Sequence, residues 1–384
     1  MKSWSSWTSF LISIQLTILR RCQKVGFYMP TKVLYGQDIV IKNREIFQSL
    51  GDKFLIVTGK SSKVNGSLDD VLDVLDGKHV YIFDETPENP PLEIIAGIAK
   101  SYSDVDVVIG LGGGSPMDTA KAVAVILENP QLNVEELYDK TKYNSAKPII
   151  CIPTTAGTGS EVTQYSVLTV NGRKKGFSHE CIFPKISFVD YKFTMTLNRE
   201  LTLSTALDAL SHAMEGYLSI KATPFSDSLA IESMRIIKTI LPRLLEDPEN
   251  EYYRERIAFA STLAGMVIAQ TGTTIAHALG YPLTTEKGVK HGLATAIFLP
   301  YEVKIAKRYE YTKVDDILSL FEGSLHDFFR SLNVNLGVTI TDEEINLWAK
   351  IVSSASHLAV TPGKYDFETI TEAYKETLGY FNLL

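Results

Sequence analysis

Between residues 27 and 184, short and continuously apolar runs alternate with longer stretches of helical period. Residues 53–58 (KFLIVT), 80–83, 105–111 (VDVVIGL) and 148–152 (PIICI) read as strands, and residues 68–75, 92–101 and 116–127 as helices between them. Strands alternating with helices predict right-handed βαβ units and a parallel sheet. Uninterrupted apolar strands predict that both faces of that sheet are covered. Beyond about Phe193 strand-like runs become few. Helix-period stretches follow at 204–219, 226–245, 252–269, 294–308, 315–332, 342–354 and 367–378. The pattern predicts an α/β domain over 27–193 and an all-helical domain over 194–384, with the boundary near 191–196.

The first 26 residues stand apart. They carry Lys2, Arg20, Arg21 and Lys24 and no acid, while the 384-residue chain as a whole is at −7. Their apolar stretch, residues 9–19, is shorter than the ~20 residues a bilayer core requires. Its flanks do not match a secretory signal, and its serines and arginines only loosely suggest a transit peptide. We read residues 1–26 as a dispensable extension and the body as having no membrane span.

Composition narrows the function. At 45% hydrophobic and 22% charged, the chain is an ordinary globular protein. Its acidic balance opposes a general nucleic-acid binder, which needs a cationic footprint. Cys22, Cys151 and Cys181 are scattered and lack CxxC spacing, which fits a reducing, cytoplasmic setting and offers no thiolate zinc site.

Two loops after predicted strands suit phosphate. The strand 105–111 runs into Gly112-Gly113-Gly114-Ser115-Pro116-Met117-Asp118. Glycines allow a sharp turn and close approach of a ligand. Ser115 is expected as the N-cap, Pro116 as the first helical residue, and Asp118 three places after the cap. The helix then presents free N–H groups and a positive dipole end to an anion such as a pyrophosphate. A tight, well-capped turn has the same spelling. The second loop, Pro153-Thr154-Thr155-Ala156-Gly157-Thr158-Gly159-Ser160-Glu161, adds hydroxyls and glycines at another strand terminus. A polar surface loop could look alike, but two such loops in one α/β domain point to a nucleotide.

The helical half holds candidate metal ligands. Asp208 and His212 are four apart on one helix and share a face, as a plain helical ion pair also would. His277 lies in an apolar helix, where a lone histidine is often a core group. His291 sits in a turn before the next helix. One Asp and three His suit Fe²⁺ or Zn²⁺ rather than Mg²⁺ or Ca²⁺. Glu215, one turn beyond His212, is expected either to orient a ligand or to make a surface ion pair. His79, His179, His326 and His357 are expected to be structural.

Taken together these pieces resemble the iron-containing (group III) alcohol dehydrogenase family. The matching segments are Gly112-Gly113-Gly114-Ser115-Pro116-x-Asp118-x-x-Lys121, the loop 153–161, Asp208-Ala-Leu-x-His212-Ala-x-Glu215, and His277-Ala-Leu-Gly280 through His291-Gly292. The resemblance covers the chain from about Phe27 onward. It implies a dehydroquinate-synthase-like architecture, with a Rossmann-like dinucleotide-binding domain, a helical domain and an active site in the cleft between them. It further implies that Asp208, His212, His277 and His291 hold the metal, Fe²⁺ with Zn²⁺ as the alternative. The implied activity is reversible oxidation of an alcohol to an aldehyde or ketone with NAD(P). A homodimer is the assembly to test. Competing readings are a glycerol-dehydrogenase-like zinc enzyme, a dehydroquinate-synthase-like lyase and a non-enzymatic dinucleotide-binding module. Many family members carry a second histidine where this chain has Tyr281, for which we expect a packing role. Thr158 and Ser160 are expected near the nicotinamide. Lys174 or Lys175 is a candidate cofactor contact, with a surface position favoured. NAD-preferring members place an Asp after the Val57-Thr58 pair. This chain has Gly59, followed by Lys60, Ser61 and Ser62, so NADP is the expected cofactor.

Overall fold

The structure, a computed structural model, describes residues 26–382. The expectation for residues 1–26 therefore lies outside the described residues, Gly26 excepted. In the N-terminal domain the strands are β1 (Lys32–Tyr35), β2 (Lys53–Thr58), β3 (His79–Phe83), β4 (Val107–Gly112), β5 (Ile149–Pro153), β6 (Tyr165–Val170), β7 (Arg173–Ser178) and β8 (Ile186–Val189). Its helices are α1 (Arg44–Leu50), α2 (Ser67–Val74), α3 (Glu93–Ser101) and α4 (Gly114–Glu128). Six strands form one parallel sheet in the order β1-β8-β5-β4-β2-β3, and β6 and β7 form a separate antiparallel hairpin.

Alternation along the strands explains the layering. Leu55 and Val57 of β2 join one apolar cluster with Ile95, Val123 and Cys151. Phe54 and Ile56 join another with Phe47, Val71, Ile109 and Phe188. Successive side chains of a strand point to opposite faces, so an all-apolar strand demands cover on both.

The C-terminal domain is helical: α5 (Arg199–Leu218), α6 (Pro224–Glu246), α7 (Glu251–Thr271), α8 (Ile275–Lys287), α9 (His291–Ala296), α10 (Leu299–Arg308), α11 (Lys313–Leu320), α12 (Leu325–Ser331), α13 (Asp342–Val352) and α14 (Phe367–Asn382). From Thr202 to Leu218 all residues of α5 but Thr205 are buried, the mark of a helix at the centre of its domain. Among the described residues no helix is long and apolar enough to cross a membrane.

Several expected elements are corrected. The stretch 294–308 is two helices, because Pro300 has no N–H to continue α9 and enters α10 as an early residue instead. The stretch 315–332 is broken at Glu322 and Gly323, both at positive φ. β1, β8 and the hairpin were not anticipated. The chain is anchored from its first described residues: the Tyr28 N–H donates to Gln270 Oε1 (3.0 Å) and Gln270 Nε2 donates to the Tyr28 carbonyl (2.8 Å).

Candidate active site

Helix α5 supplies three groups on one face, Asp208, His212 and Glu215, at i, i+4 and i+7. Helix α8 adds His277 and α9 adds His291. The Nε2 atoms of His212, His277 and His291 lie 3.8, 3.7 and 3.9 Å from Asp208 Oδ1. His212 Nε2 and His277 Nε2 are 3.1 Å apart. Asp208 Oδ1 is buried and has no hydrogen-bond partner.

The far side of each ring is held. His212 Nδ1 is 3.2 Å from the Gly157 carbonyl, and His277 Nδ1 faces Glu215 Oε2. Thr284 donates its hydroxyl to the Gly280 carbonyl, which leaves its oxygen to accept from His291 Nδ1 at 3.5 Å. With Nδ1–H committed in each ring, the Nε2 lone pairs converge on the Asp208 oxygen. Such an arrangement is repulsive without a cation at its centre. Asp208, His277 and His291 offer ligand atoms all within 4.8 Å of one another, close enough to share one ion at bonds of about 2.0–2.2 Å, and His212 Nε2 joins them through His277 (3.1 Å) and Asp208 (3.8 Å). Burial holds His212 and His291 below the ordinary imidazole range. For His277 burial acts the same way, but the Glu215 charge and hydrogen bond outweigh it.

These groups open into a cavity of about 950 Å³ that also touches the N-terminal domain through Gly114, Ser115, Asp118, Thr158, Ser160 and Lys174. Strand order changes direction between β2 and β4, so the carboxyl ends of β2, β4 and β5 surround the crevice where open α/β sheets take a nucleotide. Gly112 turns there at φ +145°, and a Cβ on it would sit 2.7 Å from Pro116. Thr154 N–H donates to the Gly112 carbonyl (2.9 Å), and Thr155 Oγ1 lies 3.3 Å from where a Gly113 Cβ would be. Thr155 Oγ1 is buried without a partner. No side chain caps the first turn of α4, whose amides remain for an anion.

Some placements differ from expectation. Gly113, not Ser115, is the N-cap of α4. Asp118 takes no capping role: its carboxylate accepts from Ser160 Oγ (2.7 Å) and the Val167 N–H (2.9 Å), and burial raises its pKa. Ser160 lines the cavity but its hydroxyl is spent, donating to Asp118 and accepting from the buried Lys121 Nζ (2.8 Å). Ser62 turns inward, accepting from Thr58 Oγ1 (2.8 Å) and donating to the Gly59 carbonyl (2.9 Å), so it offers no donor to a ligand. Gly59, Lys60, Ser61, Ser62, Gly112, Gly113, Thr154 and Thr155 sit outside the cavity lining, and Lys60 and Ser61 are exposed. Lys174 is not a surface lysine: its Nζ lies over the Tyr281 ring (5.9 Å) at the cavity wall, and burial lowers its pKa. Lys175 is exposed and lies against Tyr138 instead. Tyr281 packs on His291, with ring centroids 5.8 Å apart and planes at 20°.

His357, expected from the sequence to be structural, is placed at the site. It lines the cavity beside Tyr281 (5.7 Å), its Nδ1 is buried without a partner, and burial lowers its pKa to about 4.

Residues 30–191 match the family described as iron-containing alcohol dehydrogenase, and residues 202–378 match the C-terminal region of the Fe-containing alcohol dehydrogenase family. A long-chain primary alcohol dehydrogenase of Thermoanaerobacter ethanolicus is 34% identical over 78% of this chain and 75% of its own. An iron-containing alcohol dehydrogenase structure from Thermotoga maritima is 50% identical, with a TM-score of 0.89 over 92% of this chain and 99% of its own. A sulfoacetaldehyde reductase of Bifidobacterium kashiwanohense, solved with NAD+, is 27% identical, with a TM-score of 0.82 over 93% and 99%.

Proposed function

The chain belongs to the iron-containing alcohol dehydrogenase family and is a nicotinamide-dependent alcohol dehydrogenase, and from that premise we propose how its residues divide the work. Asp208, His212, His277 and His291 hold one divalent ion, iron in the working enzyme. The carrying observation is the buried, unpartnered Asp208 Oδ1 ringed by three Nε2 atoms at 3.7–3.9 Å. When bound, the ion supplies Lewis acidity toward the alcohol or carbonyl oxygen.

The remaining work belongs to the chain. Gly157, Glu215 and Thr284 keep the imidazoles in one tautomer. The amides of 113–115 and the 154–158 loop hold the dinucleotide phosphates at the end of α4. Thr158 lies near the nicotinamide. The Lys174 ammonium adds a positive charge at the cavity wall, and Ile268 and Val360 exclude water. An alcohol and NAD(P)+ give an aldehyde or ketone, NAD(P)H and a proton; the hydride passes directly from carbon to nicotinamide, so positioning dominates.

The domain division at 193/194 and a cytoplasmic location belong to the same reading, the latter supported by unpaired Cys151 and Cys181. NADP is preferred over NAD. Gly59 has an extended backbone (φ −125°), and a Cβ there would meet only the Thr86 carbonyl at 3.5 Å. A side chain could therefore start there, and the lack of an Asp leaves a 2′-phosphate without a competing charge beside the exposed Lys60 and Ser61. A panel of alcohols with both cofactors, read as NAD(P)H absorbance on iron-loaded and zinc-loaded enzyme, tests the whole reading. Turnover with NADP and iron is expected to lead. Equal activity with zinc refutes the iron preference, and a clear NAD preference refutes the cofactor argument. Light scattering reads the assembly, for which a homodimer is the working expectation.

A further inference from the structure

Behind His277 lies a buried polar cluster that the reaction does not use directly. Glu215 of α5 is fully buried and completely satisfied. Its Oε1 accepts from the N–H groups of Thr274 (3.0 Å) and His277 (3.1 Å), and its Oε2 faces His277 Nδ1. It thereby caps the first turn of α8, which has no capping side chain of its own. Thr274 Oγ1 lies 3.0 Å from Glu215 Oε1 and 2.6 Å from Oε1 of Glu302, a residue of α10 that is 1% exposed. Glu302 Oε2 is buried with no hydrogen-bond partner.

Counting protons decides the arrangement. A threonine hydroxyl carries one hydrogen, yet two carboxyl oxygens stand within hydrogen-bond distance of it. One of the two contacts therefore needs a proton from a carboxyl group. Glu215 accepts from two amides and an imidazole, so it is the anion. Glu302 meets only the Thr274 hydroxyl and the Ala276 amide, its Oε2 has no hydrogen-bond partner, and no cation acts on it; hydrogen bonds from those two groups favour the ionised form, but burial and the Glu215 charge outweigh them. A carboxylate in that position would pay a large desolvation penalty. Burial first, and the Glu215 charge second, push the Glu302 carboxyl well above the ordinary range.

We propose that Glu302 is a neutral carboxylic acid whose O–H donates to Thr274, making it the far end of a chain Glu302–Thr274–Glu215–His277 that positions His277. Thr274 in turn donates to Glu215, and Glu215 keeps the His277 proton on Nδ1. Glu302 is thus a positioning residue. Its effect on the metal rests on the reading that His277 is a ligand, whereas its protonation state does not.

Two measurements test the proposal. Infrared difference spectra at alkaline pH, wild type against Glu302→Gln, read the carbonyl stretch of a protonated acid. The band is expected in the wild type, absent in Glu302→Gln and shifted in Thr274→Val. Because Asp118 and Glu161 are also buried acids with raised pKa, the difference isolates Glu302. Competition with a chelator, using Zn²⁺ as the probe, reads the positioning role. Glu302→Gln, whose amide can still donate to Thr274, is expected within about threefold of wild-type affinity, and Thr274→Val weaker by about tenfold or more. No band lost in Glu302→Gln overturns the neutral acid, and unchanged zinc affinity in Thr274→Val overturns the chain. Should Glu302→Gln not fold, the band and its shift in Thr274→Val decide the same question. A wild-type protein that binds no zinc refutes the metal assignment alone, since the infrared band still reports on Glu302.

Discussion

At the scale of single residues, one atom stands out, Asp208 Oδ1. It is buried, lacks a partner and faces three imidazole nitrogens. Replacing His212 with Ala removes one donor from the set. Metal content measured by mass spectrometry should fall severely, with activity falling in parallel, because three ligands cannot complete the shell. Full retention of both would end the assignment. Asp190, at the end of β8, shows the opposite economy. It is 1% exposed, its Oδ2 has no partner, and burial raises its pKa from 3.8 to about 6 despite the nearby Lys192. The folded state therefore binds more protons than the unfolded one between those values, so this group's contribution to stability falls as pH rises through that window. Asp190→Asn keeps an acceptor for the Lys192 N–H and removes the titrating group. Denaturant unfolding should find the variant gaining about 1–3 kcal/mol over wild type between pH 4 and pH 8; a difference that does not change with pH would contradict it. The proposed ligand residues could be picked out of the sequence because spacing on α5 and the two later histidines are sequence properties. The internal hydrogen bonds of Ser62, Ser160 and Asp118 left no trace in the sequence, because a hydroxyl or carboxylate in a loop gives no sign of which neighbour will take its bonds. Glu302 was not singled out, and Lys121 and His357 were given no role in the site, for a related reason: their partners lie tens of residues away.

At the scale of elements, the site is made by how closely helices and loops approach. Gly292, next to His291, is where α9 meets α5. A Cβ there would collide with the Ser204 carbonyl and lie 2.7 Å from Asp208 Cβ. Gly292→Ala should cost about 1–3 kcal/mol by forcing the two helices apart, and it should weaken metal binding because Asp208 and His291 are the groups that separate. Calorimetry and a zinc titration check both halves; wild-type behaviour in both would show that α9 has slack. On the sheet side, Gly59→Asp adds a carboxylate at the end of β2, where its Cβ meets only the Thr86 carbonyl at 3.5 Å. The kcat/KM ratio of NADP to NAD should drop by tenfold or more through charge repulsion, and an unmoved ratio would remove Gly59 from cofactor selection. Long or uniformly apolar elements such as β2 and β4 were readable from the chain, since both their period and their length speak. β1 and β8 have four residues each and carry too few positions to show a period. The β6–β7 hairpin did leave a signal in Asn171-Gly172, both at positive φ, flanked by alternating residues.

Across the whole molecule, the proposed ligand set joins α5, α8 and α9 of the helical half, while the loops proposed for the dinucleotide come from the sheet. A bound ion therefore ties together residues 208 to 291 and should stabilise that half selectively. Chelation should lower its melting temperature by on the order of 10 °C, as binding to the folded state alone provides about 3–4 kcal/mol at a hundred to a thousand times Kd. The sheet should respond less, so calorimetry of the stripped enzyme should show two resolved transitions; one unshifted transition would deny the link. Cys151 lets the sheet be followed by itself. It lies at the middle of β5, fully buried, and burial pushes its thiol up to about 12. An alkylating reagent cannot reach it while the sheet is closed, so each modified molecule records one opening. Peptide mapping separates this thiol from Cys22 and Cys181. The rate of its labelling becomes a clock for excursions of the nucleotide-binding half, and saturating NADP should slow that clock whether or not the metal is present.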